Sequence, residues 1–198
     1  MNTKSIATRL SVALSPFTLF PIVAAIAIFQ TPMDMAERWG WLAAIVLLNL
    51  ISSLVILFEM ERRGIKLDDT LENLIVKRTR IVGFAPIMLI LLAEIAMASS
   101  RGGYQPLFAI LSSGFIIALV AGGISFFWKI SLHMIGASST ISYLAVLIGP
   151  IALAALPLIP LLAWSRLVLK RHTPGQLFAG TLLPPIMIAA IFRYFRLI

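Results

Sequence analysis

A bundle of six to seven membrane-crossing helices is the fold class this sequence predicts, on three observations. Apolar residues make up 60% of the 198 positions and charged residues 12%, with a mean hydropathy of +1.01. A water-facing surface cannot be built from that composition. Uncharged runs recur at membrane length, and at about 20 residues per crossing the chain supplies six or seven spans and almost nothing else. Only helices and closed barrels satisfy backbone groups in lipid, and continuously apolar runs of this length read as helix. The prediction is all-α, one integral membrane domain over 1–198, with no internal repeat or low-complexity tract.

The first run, near 10–30, contains Ala25-Ile26-Ala27, which mimics a signal cleavage site. Its apolar length of about 20 residues exceeds a signal core, so it reads as a retained span. The second lies near 39–58 and the third near 81–98. Glu94 falls about one turn from the outer end of the third, where an interfacial carboxyl is expected. The fourth, near 102–128, carries Gly114 and Gly122-Gly123, small residues expected to let helices pack closely. The fifth, near 134–164, is about 31 residues long and holds Gly149-Pro150 near its middle. It is expected to make two short crossings folded at Gly149, or one re-entrant hairpin. The last, near 173–192, opens on Thr173-Pro174-Gly175-Gln176, the pattern of an N-cap, a proline at the first helical position and a capping-box glutamine.

Cysteine is absent, which excludes disulfides, thiolate metal sites and cysteine nucleophiles. The net charge of +8 would suggest nucleic acid in a soluble protein, whereas basic loops of a bilayer protein meet lipid headgroups and set orientation. On the seven-span reading twelve of the sixteen Lys and Arg residues fall on one face, leaving Arg38, Arg101, Arg193 and Arg196 opposite. The richer face is expected to be cytoplasmic, with the N-terminus on it, in the inner membrane of a bacterium.

Three basic groups share that face. They are Arg78-x-Arg80, then Lys129-Ile130-Ser131-Leu132-His133, then Ser165-Arg166-x5-His172. Guanidinium groups bind two phosphate oxygens at once, hydroxyls add neutral donors, and an imidazole near neutrality can attack phosphorus or carry a proton. These are the parts of phosphoryl transfer without a metal.

Order and spacing of the groups resemble the type 2 phosphatidic acid phosphatase superfamily over roughly 73–180, within a phosphatase-like core of about 73–198. The family's first motif is Lys-x6-Arg-Pro; here Asn73 replaces the lysine, Arg78 and Arg80 match the arginines, and Ile81 replaces the proline. The second is Pro-Ser-Gly-His, of which Ser131 and His133 are kept and Leu132 replaces the glycine. The third is Ser-Arg-x5-His-x3-Asp, matched by Ser165, Arg166 and His172, with Gln176 at the aspartate position. The resemblance implies that His172 is the nucleophile and His133 the general acid. It further implies that Arg78, Arg80, Ser131, Ser165 and Arg166 hold the phosphoryl oxygens, with no metal and no other cofactor. Lys129 can stand in for the cation lost at Asn73. Gln176 can orient His172 but cannot stabilise an imidazolium as a carboxylate does.

The expected substrate is a lipid phosphate or a prenyl phosphate or diphosphate, and the expected partners are membrane lipids, with no nucleic acid. A homo-oligomer or a place in a larger membrane complex is left open. Bland roles compete: Arg78, Arg80 and Lys129 beside Trp128 also fit interfacial anchors, and Ser131 and Ser165 also fit helix caps. Two other functions compete. One is a non-catalytic homologue serving as a lipid-binding or accessory subunit; the other is a prenyl-transferring enzyme using magnesium at Asp68, Asp69 and Glu72.

Overall fold

The computed structural model describes residues 2–62, 77–100 and 105–198, and within these the side chains of 52–53, 56–57, 59–60 and 77–84 lie outside the description. The acidic group Asp68, Asp69 and Glu72, together with Asn73, therefore lies outside the described residues. The described chain is helical, with no strand. Its helices are α1 (Thr3–Ala13), α2 (Pro16–Gln30), α3 (Met35–Arg62), α4 (Lys77–Ser100), α5 (Leu107–Phe127), α6 (Leu132–Ile148), a short 3-10 segment (Pro150–Ala155), α7 (Leu158–Val168) and α8 (Pro174–Tyr194).

Four segments are long and apolar enough to cross a membrane by length and composition: Thr3–Gln30, Leu107–Phe127, Pro150–Val168 and Pro174–Tyr194. Ala85–Ser100 and Leu132–Ile148 are apolar but shorter. Large apolar side chains cover the outside, among them Phe127, Ile151, Leu89, Phe178 and Ile186. In water such a surface would be an aggregation liability; facing lipid tails it carries no penalty.

Helix α6 is central and packs against α2, α7 and α8. Two glycines permit the approach. A Cβ at Gly136 would lie 2.8 Å from Pro16 Cγ of α2, and one at Gly180 of α8 would lie 2.8 Å from the Ser131 carbonyl oxygen and 3.1 Å from Met134 Cβ. Gly123, expected to serve close packing, has nothing within 4 Å of its Cβ position. The close crossings use Gly136 on α6 and Gly180 on α8, where α6 itself is confined. Polar bonds reinforce them. Pro185 carries no N–H, so the Thr181 carbonyl lacks its helical donor, and the Ser138 hydroxyl of α6 donates to it at 2.6 Å. Near the other end of α6, Gln30 Nε2 donates to the Leu147 carbonyl at 2.7 Å.

The fold at Gly149 is present: α6 stops at Ile148, Gly149 takes φ 82°, and Pro150 opens the return. Glycine reaches that conformation without the Cβ clash other residues meet. The first run differs from expectation. Its helix begins at Thr3, before the apolar stretch, and breaks at Leu14, after which Ser15 caps α2 through the Thr18 N–H at 3.3 Å. Glu94 is 0% exposed, enclosed where α4 packs on α3 and α5.

Gly180→Ala is expected to destabilise the protein by about 1–3 kcal/mol, because backbone cannot yield to the added methyl. Thermal unfolding in detergent measures it. A change within about 0.5 kcal/mol would contradict the close α6–α8 crossing.

Candidate active site

His172 is the single residue between two helix-end devices. On its N-terminal side α7 closes with a Schellman arrangement: the Arg171 N–H donates to the Arg166 carbonyl at 2.9 Å and the Lys170 N–H to the Leu167 carbonyl at 2.9 Å. Lys170 occupies the left-handed region at φ 53°, the position glycine usually takes in this motif. On its C-terminal side the predicted capping box is formed. The Gln176 N–H donates to Thr173 Oγ1 at 3.4 Å, and the Thr173 N–H to Gln176 Oε1 at 3.1 Å.

That box also determines the imidazole tautomer. The Gln176 atom facing the Thr173 N–H must be an acceptor, hence the amide oxygen. His172 Nδ1 lies 3.2 Å from the same oxygen, so Nδ1 must carry the hydrogen and donate. Nε2 is left with its lone pair. Burial, first, and then the charges of Arg166 and Lys129 push the imidazolium pKa down to about 4, against the Gln176 bond that favours the charged form. At neutral pH the ring is uncharged, with a nucleophilic nitrogen.

The other groups converge from α6, α7 and the α5–α6 connection. Arg166, in the last turn of α7, is 5% exposed, and its Nη1 donates to Ser11 Oγ at 2.6 Å. His133, in the first turn of α6, lies near the Ser11 backbone and close enough to Arg166 and His172 for both to act on its ring. Lys129 approaches across the α5–α6 connection and donates from Nζ to the Arg171 carbonyl at 2.9 Å. Its charge reaches His172. Thus both imidazoles, Arg166, Lys129 and Gln176 share one end of the bundle.

Two serines are engaged differently. Ser131 caps α6, its Oγ accepting from the Met134 N–H at 3.4 Å. Ser165 is 0% exposed and donates to the Ala7 carbonyl at 2.6 Å, so its hydrogen is spent on α1 in this structure. Arg78 and Arg80 occupy the first turn of α4, and their side chains lie outside the described residues, as does that of Ile81.

Sequence reasoning passed over α1. Its Ala7 and Ser11 stand four residues apart on one face, both buried, and supply the partners of Ser165, Arg166 and His133. A small residue followed four positions later by another small one is a packing signature, though nothing local to 3–13 marks α7 as the partner. No family model, curated protein or solved structure matches this chain.

Gln176→Glu keeps the capping acceptor but places a carboxylate on Nδ1, which stabilises the imidazolium. The His172 pKa should therefore rise from about 4 toward or beyond its ordinary value of about 6.5. An NMR titration of the His172 ring reads the shift, and an unchanged or lower value would contradict the Nδ1–Gln176 bond.

Proposed function

We propose that this chain is an integral membrane phosphoesterase that hydrolyses a phosphate monoester or diphosphate carried by an amphiphile, through a phosphohistidine on His172 and without a metal. The reading is carried by one observation: Gln176 accepts from Nδ1, so Nε2 is the lone-pair nitrogen of a ring kept neutral. In the first step Nε2 attacks phosphorus, the phosphorus–oxygen bond to the leaving group breaks, and the leaving oxygen takes a proton from His133, which enters the step as an imidazolium stabilised by the negative charge of the bound phosphoryl group. In the second, water attacks the phosphohistidine and gives a proton to His133. Inorganic phosphate leaves and both rings return to their starting state.

Arg166 and Lys129 stabilise charge on the transferring phosphoryl group, with Arg78 and Arg80 of α4 joining them. The Ser11 hydroxyl accepts from Arg166 Nη1 at 2.6 Å, which holds the guanidinium beside the site. Gln176 orients His172 but brings no negative charge, which keeps the nucleophile neutral to lower pH than a carboxylate would. The membrane reading extends to seven crossings, with the N-terminus and the basic end of the bundle cytoplasmic, in a bacterial inner membrane. Support comes from the turn at Gly149 and from the 19-residue apolar segment Pro150–Val168 after it.

A second reading, a non-catalytic lipid-binding homologue, is favoured by the bond that commits Ser165 to α1. Phosphate release from phosphatidate, a prenyl phosphate and a prenyl diphosphate decides between them. Turnover is expected to survive EDTA and to fall at least about a thousand-fold in His172→Ala. Turnover of no substrate would favour the accessory reading, equal turnover by both proteins would remove His172 from the mechanism, and dependence on magnesium would turn attention to Asp68 and Asp69.

A further inference from the structure

A cavity of about 250 Å³ runs between α2, α3, α4, α5 and α6. Its walls are mostly apolar, as at Phe20, Ile87, Ile90 and Ile117. Several polar groups on the wall have neighbours as partners. Asn49 donates to the Ile45 carbonyl at 2.8 Å, Thr140 to the Gly136 carbonyl at 2.9 Å, and Tyr143 pairs with Ser113 at 2.9 Å. Glu94 is 0% exposed, and neither of its carboxyl oxygens has a hydrogen-bond partner among the described residues.

Glu94 and His133 lie toward opposite ends of this cavity. A Cβ on Gly114 would touch Leu91 at 3.8 Å and the Tyr143 hydroxyl at 3.9 Å, which sets these two side by side. Glu94 is one helical turn beyond Leu91, whereas His133 lies about 15 Å along α6 from Tyr143. The His133 end faces Arg166 and His172. One end of the cavity is therefore basic and the other carries an isolated carboxyl.

We propose that this cavity binds a single-chain primary alkylammonium amphiphile, its N–H donors on the Glu94 carboxylate and its hydrocarbon chain directed toward His133. A carboxyl buried among apolar walls is costly unless a partner supplies hydrogen bonds and opposite charge. Intramembrane acids of this kind mark sites for ions and ligands. An ammonium group provides several N–H donors and the compensating charge, while an alcohol provides one donor and none. The basic end excludes the reverse orientation. The volume of about 250 Å³ accommodates one short hydrocarbon chain. This site does not depend on the phosphatase reading.

Isothermal titration of the full chain in a fixed detergent tests it, with octylammonium and octan-1-ol as probes. Octylammonium is expected to bind the wild type at least about tenfold more tightly than octanol, a difference of about 1.4 kcal/mol. Glu94→Gln should abolish that preference, and His172→Ala should preserve it. Ala118→Leu, which narrows the cavity away from the carboxyl, should weaken both ligands. Equal binding of amine and alcohol to the wild type overturns the proposal without reliance on any variant. An amine preference surviving Glu94→Gln, or unchanged binding in Ala118→Leu, also overturns it.

Discussion

A guanidinium kept almost entirely from solvent at one end of an apolar bundle is the constraint around which the rest is arranged. Removing the Arg166 charge from water is expensive, and the cost is tolerable only where hydrogen-bonding and electrostatic partners are provided. The Ser11 hydroxyl of α1 meets it at 2.6 Å. Its neighbour in sequence, Ser165, ties the same helix to α7 through the Ala7 carbonyl. The first and seventh helices are thereby joined by polar bonds at the level where both imidazoles stand. Lipid offers no replacement for these bonds, since an exposed polar group there has no water to turn to.

His172 owes its geometry to backbone devices more than to side-chain packing. The C-terminal motif of α7 closes at Arg171 and the N-cap of α8 is Thr173, and each end satisfies its own orphan groups. The cap and the imidazole share one atom, the Gln176 oxygen, which accepts from the Thr173 backbone and from the His172 ring. The glutamine at this position therefore has a structural reason to be there. Its consequence is chemical: a ring held in one tautomer with no neighbouring negative charge stays neutral, which favours attack over proton storage.

Local features were legible in the sequence because their causes are local. The capping box at Thr173 follows from residue types three apart, and the reversal at Gly149 from a glycine beside a proline. Helical class and membrane-length segments followed from composition. Features set by distant chain were not legible. Lys4 and Arg9 end the hydropathy window, so the helix that begins at Thr3 was cut at its start, and with it went Ser11, whose partner Arg166 lies 155 residues away. Glu94 sits near the end of its helix in one dimension but is enclosed by neighbouring helices in three. Gly123 has the residue type of a packing glycine without a neighbour, while Gly136 and Gly180 have neighbours at van der Waals limits.

The central claim is that His172 Nε2 becomes covalently bonded to phosphorus. Phosphohistidine is labile in acid and persists in base, so an alkaline quench of the working protein with a prenyl diphosphate, followed by peptide mass spectrometry, reads the bond directly. The account expects one added phosphoryl group on the peptide containing His172 and none on the peptide containing His133. Continued substrate turnover with both peptides unmodified at every quench time, or a phosphoryl group on His133 alone, would contradict it.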